Sequence, residues 1–148
     1  MRRARKNEKL ILLNDQAIKL GAEDIVIADQ KKALALAGIM GGQQSAVTEK
    51  TEDVFIEIAV FDAPSVRKSK VSHNLPTDAS YRFERGLDPN LPTEALREAA
   101  TLFSQLSGGK LAGMRDVAAK KASPWKIRLA KQLVDDVLGV EVPLFEIV

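Results

Sequence analysis

The sequence predicts an α+β fold: a mixed β-sheet with flanking helices, followed by the first elements of a small helical module. Three observations predict it. Short apolar runs separated by turn residues fill the chain up to Phe61, apolar residues recur at helical spacing over Pro92–Ser107, and Ala130–Leu138 repeats that spacing before a glycine. A length of 148 residues suits one domain, or one domain and part of another. The expected division is a partial α+β domain over 1–119, a linker over 120–124 and the truncated start of the helical module over 125–148.

Lys9–Leu13 and Asp24–Ala28 read as strands, with the turn dipeptide Asn14-Asp15 between them and Ile18 and Leu20 continuing the pattern. Ala33–Ala37 is a third apolar run that ends at a glycine cluster. Val54–Phe61, reading VFIEIAVF, predicts the clearest strand, with Phe55, Glu57, Ala59 and Phe61 on one face. Pro64 opens a helical segment through about Asn74. Tyr81–Arg85 alternates aromatic and charged residues, which predicts a half-buried strand with Tyr81 and Phe83 inward.

Asp88-Pro89-Asn90 is a turn, and Asn90 is the expected N-cap of the next helix. That helix, Pro92–Ser107, gathers Ala95, Leu96, Ala99, Leu102, Phe103 and Leu106 on a face expected to be core, and Gly108-Gly109 stops it. Lys110–Val117 and Trp125–Leu129 read as strands on either side of the linker Lys120-Lys121-Ala122-Ser123-Pro124. Ala130–Leu138 is a helix ended by Gly139, and Pro143 suits the first turn of another.

Hydrophobic content of 45% and charged content of 28% are ordinary for a globular chain. No run approaches the roughly 18 apolar residues that span a bilayer, so a cytoplasmic protein with no membrane partner is expected. There are no cysteines and only one histidine, His73, which excludes disulfides, thiolate metal sites and multi-histidine centres. A net charge of +2 does not by itself argue for nucleic acid, although basic residues cluster at Arg2–Lys9, Arg67–Lys70 and Lys120–Lys131. Such clusters read either as solvated surface or as an RNA-facing side.

Three places carry possible chemistry. Gly38-Ile39-Met40-Gly41-Gly42 lacks the Lys-Ser/Thr of a phosphate loop and the order of a dinucleotide fingerprint. It is a strand-ending turn, or a place where a ligand approaches the backbone closely. Glu57 is a carboxylate within an apolar run and must find a donor: an arginine such as Arg82 or Arg85, or a ligand. Thr77, with Asp78, is a helix or turn cap from the local sequence. No Ser-His-Asp set is present, and His73 is not assigned as a base.

The strings GIMGG at Gly38–Gly42, IEIA at Ile56–Ala59 and TDASYRFERGLDP at Thr77–Pro89 occur in order. From Ala33 to Gly109 the chain closely resembles the beta-subunit family of bacterial phenylalanyl-tRNA synthetases, at the B3/B4 editing region. The tail resembles the start of that family's B5 domain. The resemblance implies an editing pocket that hydrolyses mischarged tyrosyl-tRNA(Phe). Gly41 and Gly42 match its wall, Glu57 the acceptor for the phenolic hydroxyl, and Thr77 a residue that positions water or ribose. It further implies an alpha-subunit partner in a heterotetramer of two alpha and two beta chains. tRNA(Phe) would be bound, and ATP and Mg²⁺ used in the alpha subunit, with no cofactor in these residues.

The family also places pocket residues upstream of the position matching Met1, so the chain is expected to be a fragment, inactive by itself. Two other readings stay open: a non-catalytic RNA- or subunit-binding module, and a freestanding aminoacyl-tRNA hydrolase.

Overall fold

The computed structural model describes residues 1–118, 123 and 126–147. The chain separates into two units, Met1–Val117 and Ala118–Val148. Together they are α+β. In the first unit a hairpin pairs β2 (Lys9–Ile11) with β3 (Ala17–Lys19), while β1 (Arg2–Arg3), β4 (Ile25–Ala28), β5 (Ala33–Leu36) and β6 (Met40–Gly41) form a sheet in the order β1-β4-β5-β6. Every pairing is antiparallel among the described residues.

The hairpin shows why the alternation works. Leu10 and Ile18 face each other and are buried, while Lys9, Ile11, Ala17 and Lys19 stay exposed. Asp15, with φ 63°, supplies the left-handed turn residue, and the Asn14 side chain accepts from the Gln16 amide at 3.2 Å. Leu12 and Leu20 extend the inward face into the core with Val26 and Leu36. A bridge between Leu12 and Gly42 ties the hairpin to the end of the sheet. Between β4 and β5, Asp29 accepts from the amides of Lys31 and Lys32, both at 2.7 Å, and closes the turn.

Helix α1 (Ala63–His73) starts at Asp62, whose carboxylate accepts from the Ser65 amide at 3.0 Å, and stops at Asn74 in the left-handed region. It buries Ser65, Val66 and Ser69. Helix α3 (Leu91–Ser107) stops at Gly108. In the second unit α4 (Lys131–Leu138) stops at Gly139, and α5 (Leu144–Ile147) follows Pro143.

Four expectations fail. Val54–Phe61 is not a strand: no described strand pairs with it, Phe55 is 90% exposed, and only Phe61 is buried. An apolar run becomes a strand only where its N–H and C=O groups pair with a neighbouring strand, and no described strand pairs with this one. Tyr81–Arg85 is not a strand either. Tyr81–Phe83 ends α2 (Asp78–Phe83), with Glu84 and Arg85 in the turn after it; α2 is nucleated by a capping box in which Thr77 Oγ1 accepts from the Ser80 amide at 3.0 Å and Ser80 Oγ accepts from the Thr77 amide at 2.9 Å. Tyr81 consequently points outward and is exposed.

The apolar face of α3 is not core. None of its residues is buried, and Leu102, Phe103 and Leu106 are exposed, because no described element covers them. Asn90 sits at the N-cap position without a side-chain capping bond; its amide and side chain both donate to Asp88 Oδ1 instead. Fourth, Lys110–Val117 forms no strand and is exposed throughout, and 126–129 is likewise irregular. Trp125, Val148 and the linker residues other than Ser123 lie outside the described residues.

Candidate functional site

A cavity of about 440 Å³ opens among β6, the segment Glu57–Phe61, α2 and the start of α3. Its walls are apolar and include Ile39, Met40, Phe61, Phe83 and Leu91. Phe61 and Phe83 meet with ring centroids 5.0 Å apart and planes tilted by 51°. Gly38 lets these rings close on the sheet: its φ is 68°, and a Cβ there would stand 3.0 Å from Phe61 and 3.3 Å from Phe83.

Two ionisable residues line the cavity, Glu57 and Asp88. Asp88 is engaged by Asn90, at 2.9 and 3.1 Å. Glu57 has no hydrogen bond or ion pair among the described residues. It is open to solvent on one side and crowded by apolar groups on the other. That crowding pushes its carboxyl pKa above the ordinary glutamate value, opposed by the positive charge of the N-terminus. The arginine partners considered from the sequence do not serve it. Arg85 lies with its guanidinium carbon 3.5 Å from the Tyr81 ring centroid and pairs with Glu84 at 3.1 Å.

Gly41 joins Glu57 in the cavity wall. Gly42 and Thr77 do not line it. Gly42 is buried at the junction of hairpin and sheet, where a Cβ would lie 2.4 Å from the Leu34 carbonyl oxygen. Thr77 stands behind the wall: besides capping α2, its hydroxyl donates to the Ile39 carbonyl at 2.9 Å. It thereby fixes two wall elements, since Ile39 and Ala79 both line the cavity.

His73 is held elsewhere. Its Nε2 is 2.7 Å from Asp24 Oδ2, while Ser69 Oγ donates to Asp24 Oδ1 at 2.6 Å and the Gly21 amide to Oδ2 at 2.8 Å. Burial works against the Asp24 carboxylate, yet these bonds together hold its pKa below the ordinary value. The carboxylate sits between the hydroxyl and the imidazole, so the set fastens β4 to α1 and lacks the Ser-His contact of a nucleophilic triad.

Among the described residues no three His, Cys, Asp or Glu side chains gather as metal ligands. No described helix is long and apolar enough to cross a membrane. Sequence reasoning missed Asp88, Gly38 and the Phe61–Phe83 pair. Gly38, Phe61 and Phe83 contact one another across long stretches of chain, and Asp88 reads from the sequence only as part of a turn.

Residues 1–108 match the family model of the B3/4 domain. The chain belongs to the B3/4 domain family. This B3/4 chain is 43% identical, over 99% of its length, to a protein of Methylococcus capsulatus named phenylalanine–tRNA ligase beta subunit. Proteins of the same name from Pseudomonas syringae pv. syringae and Francisella tularensis are each 40% identical over 99% and 94% of it. The chain spans 19%, 19% and 18% of the length of these three relatives.

Proposed function

We propose that this B3/4 chain is part of the beta subunit of a phenylalanine–tRNA ligase, and that the Glu57 cavity belongs to the site that proofreads tyrosine attached to tRNA(Phe). The observation that carries the reading is Glu57: an unpartnered carboxylate in a mainly apolar cavity whose other carboxylate, Asp88, is engaged by Asn90, and which also holds an aromatic pair. A pocket built for phenylalanine has limited power to reject a substrate bearing one more hydroxyl. A second pocket with an acceptor inside selects the other way. Tyrosine satisfies the acceptor, whereas phenylalanine leaves it unpaired at a cost of about 1–3 kcal/mol.

In this reading Gly41 supplies backbone wall beside the amino acid. Gly42 holds that wall in place from behind. Thr77 acts as a positioning residue, since its hydroxyl is committed to the Ser80 amide and the Ile39 carbonyl. Ester hydrolysis then needs a water held near the carbonyl and support for the developing oxyanion. Aminoacylation itself, with ATP and Mg²⁺, belongs to an alpha subunit, paired with beta in a heterotetramer that binds tRNA(Phe) in the cytoplasm. The boundary after the B3/4 part falls near 119, and the α4–α5 segment begins a B5 domain.

The test uses the complete heterotetramer with Glu57→Ala. Hydrolysis of tyrosyl-tRNA(Phe) falls while phenylalanylation stays near its original rate. Equal loss of both, in a folded variant, makes Glu57 structural and sinks the reading. Unchanged hydrolysis would favour a non-catalytic RNA- or subunit-binding role. Full hydrolysis by the isolated chain would favour a freestanding hydrolase.

A further inference from the structure

The cavity that holds Glu57 is charged in one direction only. Its two ionisable residues, Glu57 and Asp88, are both carboxylates, and no lysine, arginine or histidine lines it. Negative charge set in a mainly apolar wall favours a cationic ligand and opposes an anionic one.

Asp88 is only half committed. Both bonds from Asn90, from its amide at 2.9 Å and its side chain at 3.1 Å, fall on Oδ1. Among the described residues Oδ2 accepts no hydrogen bond and joins no ion pair. The residue is exposed, in the connection between α2 and α3, and its neighbours Leu87 and Leu91 line the same cavity. An amino acid esterified to tRNA has lost its carboxylate charge and keeps its α-ammonium, so it enters a pocket as a cation. A cavity of about 440 Å³ cannot admit the nucleic acid, which keeps the ester at the opening and sends the side chain inward. The ammonium shares a carbon with the ester carbonyl and stays at the opening too. Being strongly hydrated, it pairs with least desolvation at the exposed carboxylate, Asp88. The uncharged phenol loses less on leaving water and suits Glu57, which apolar groups crowd.

We propose that Asp88 is a specificity-determining residue of this cavity, binding the α-ammonium of the esterified amino acid through Oδ2 while Glu57 accepts from the phenol. The assignment rests on the proofreading reading and adds a second requirement to it, a free amine on the substrate. Glu57 then reads the end of the side chain and Asp88 reads the backbone nitrogen, so the two carboxylates select independently.

The test is steady-state hydrolysis by the complete heterotetramer, with Asp88→Asn as the variant. Asparagine keeps an oxygen for both Asn90 donors and removes only the charge, so the melting temperature should not move. Two esters are compared: tyrosyl-tRNA(Phe), and the hydroxyphenyl-lactyl-tRNA(Phe) made from it with nitrous acid, in which a hydroxyl replaces the ammonium. On tyrosyl-tRNA(Phe) the variant's kcat/KM should fall about tenfold, through KM with kcat nearly unchanged, the scale of one hydrogen bond to a charged group. On the lactyl ester, variant and parent should be equal. Equal loss on both esters, or loss on neither, overturns the proposal. Failure of the proofreading reading looks different, because the parent enzyme then hydrolyses neither ester faster than buffer does. Binding of L-tyrosinamide to the 148-residue chain decides the proposal in that case. A preference over the deaminated amide that Asp88→Asn removes upholds it, and equal or absent binding overturns it.

Discussion

Adjacent glycines at the end of the sheet do different work. A Cβ at Gly42 would meet the Leu34 carbonyl oxygen at 2.4 Å and Leu10 at 2.9 Å, and the backbone cannot retreat without breaking the Gly42 amide's 2.8 Å bond to Leu34. At Gly41 a Cβ would meet only Leu13, at 3.1 Å, and that side chain is exposed and free to turn away. Gly42→Ala should therefore destabilise by about 1–3 kcal/mol in urea titrations, with Gly41→Ala nearly neutral. The sequence showed that a close approach was possible in this pair but not which glycine makes it, because the approaching atoms belong to Leu34 and Leu10. Glu8 gives the second residue-level expectation. Its hydrogen bonds to Arg2, set against partial burial, hold its carboxyl at about 2 instead of 4.5. A depressed folded-state pKa stabilises above the unfolded value and loses that contribution as pH falls from about 4.5 to about 2. Stability measured for the protein and for Glu8→Gln should differ most above pH 4.5 and converge toward pH 2. A constant difference across that range would remove the linkage to Glu8.

At the scale of elements, α2 is the instructive case. Its sequence alternates like a strand, yet the capping box at Thr77 and Ser80 starts a helix, and Phe83 then turns inward against Phe61 while Tyr81 turns out. Thr77→Ala should cost about 1 kcal/mol, because a helix N-cap is lost, and Thr77→Ser should keep most of the stability. In the complete enzyme, a serine variant with full stability and weakened proofreading would mean that Thr77 contributes more than the cap. Elements with local signals were legible: the β2–β3 hairpin from its turn, α1 from Pro64, and α3 and α4 from their periodicity and terminal glycines. The elements that misled depend on distant partners. Val54–Phe61 has strand composition but pairs with no described strand, and α3 has an amphipathic face that no described element covers. Glu57 and Gly41 were legible as site candidates through the family resemblance, whereas the cavity they share follows from a fold that brings residues 41, 57 and 83 together.

Across the molecule, the first unit is held by long-range ties of different kinds. The Leu12–Gly42 bridge closes the hairpin onto the sheet, the Asp24 cluster fastens β4 to α1, and Phe61 and Val66 enter the same core as Leu12 and Val26. Between these ties runs the segment from Glu52 to Phe61, which has no regular secondary structure and carries Phe55 almost fully in solvent. An enzyme that cleaves after aromatic residues needs about this arrangement, an extended backbone free of ladder bonds with its side chain presented outward. Brief chymotrypsin treatment should therefore nick the chain first after Phe55, ahead of buried Phe61 and half-buried Phe83. The two pieces should then elute together under native conditions, joined by the Asp24 cluster and the shared core, and separate only in denaturant. Early release of the C-terminal piece would mean that those contacts are too weak to hold sheet and helices together without the covalent link.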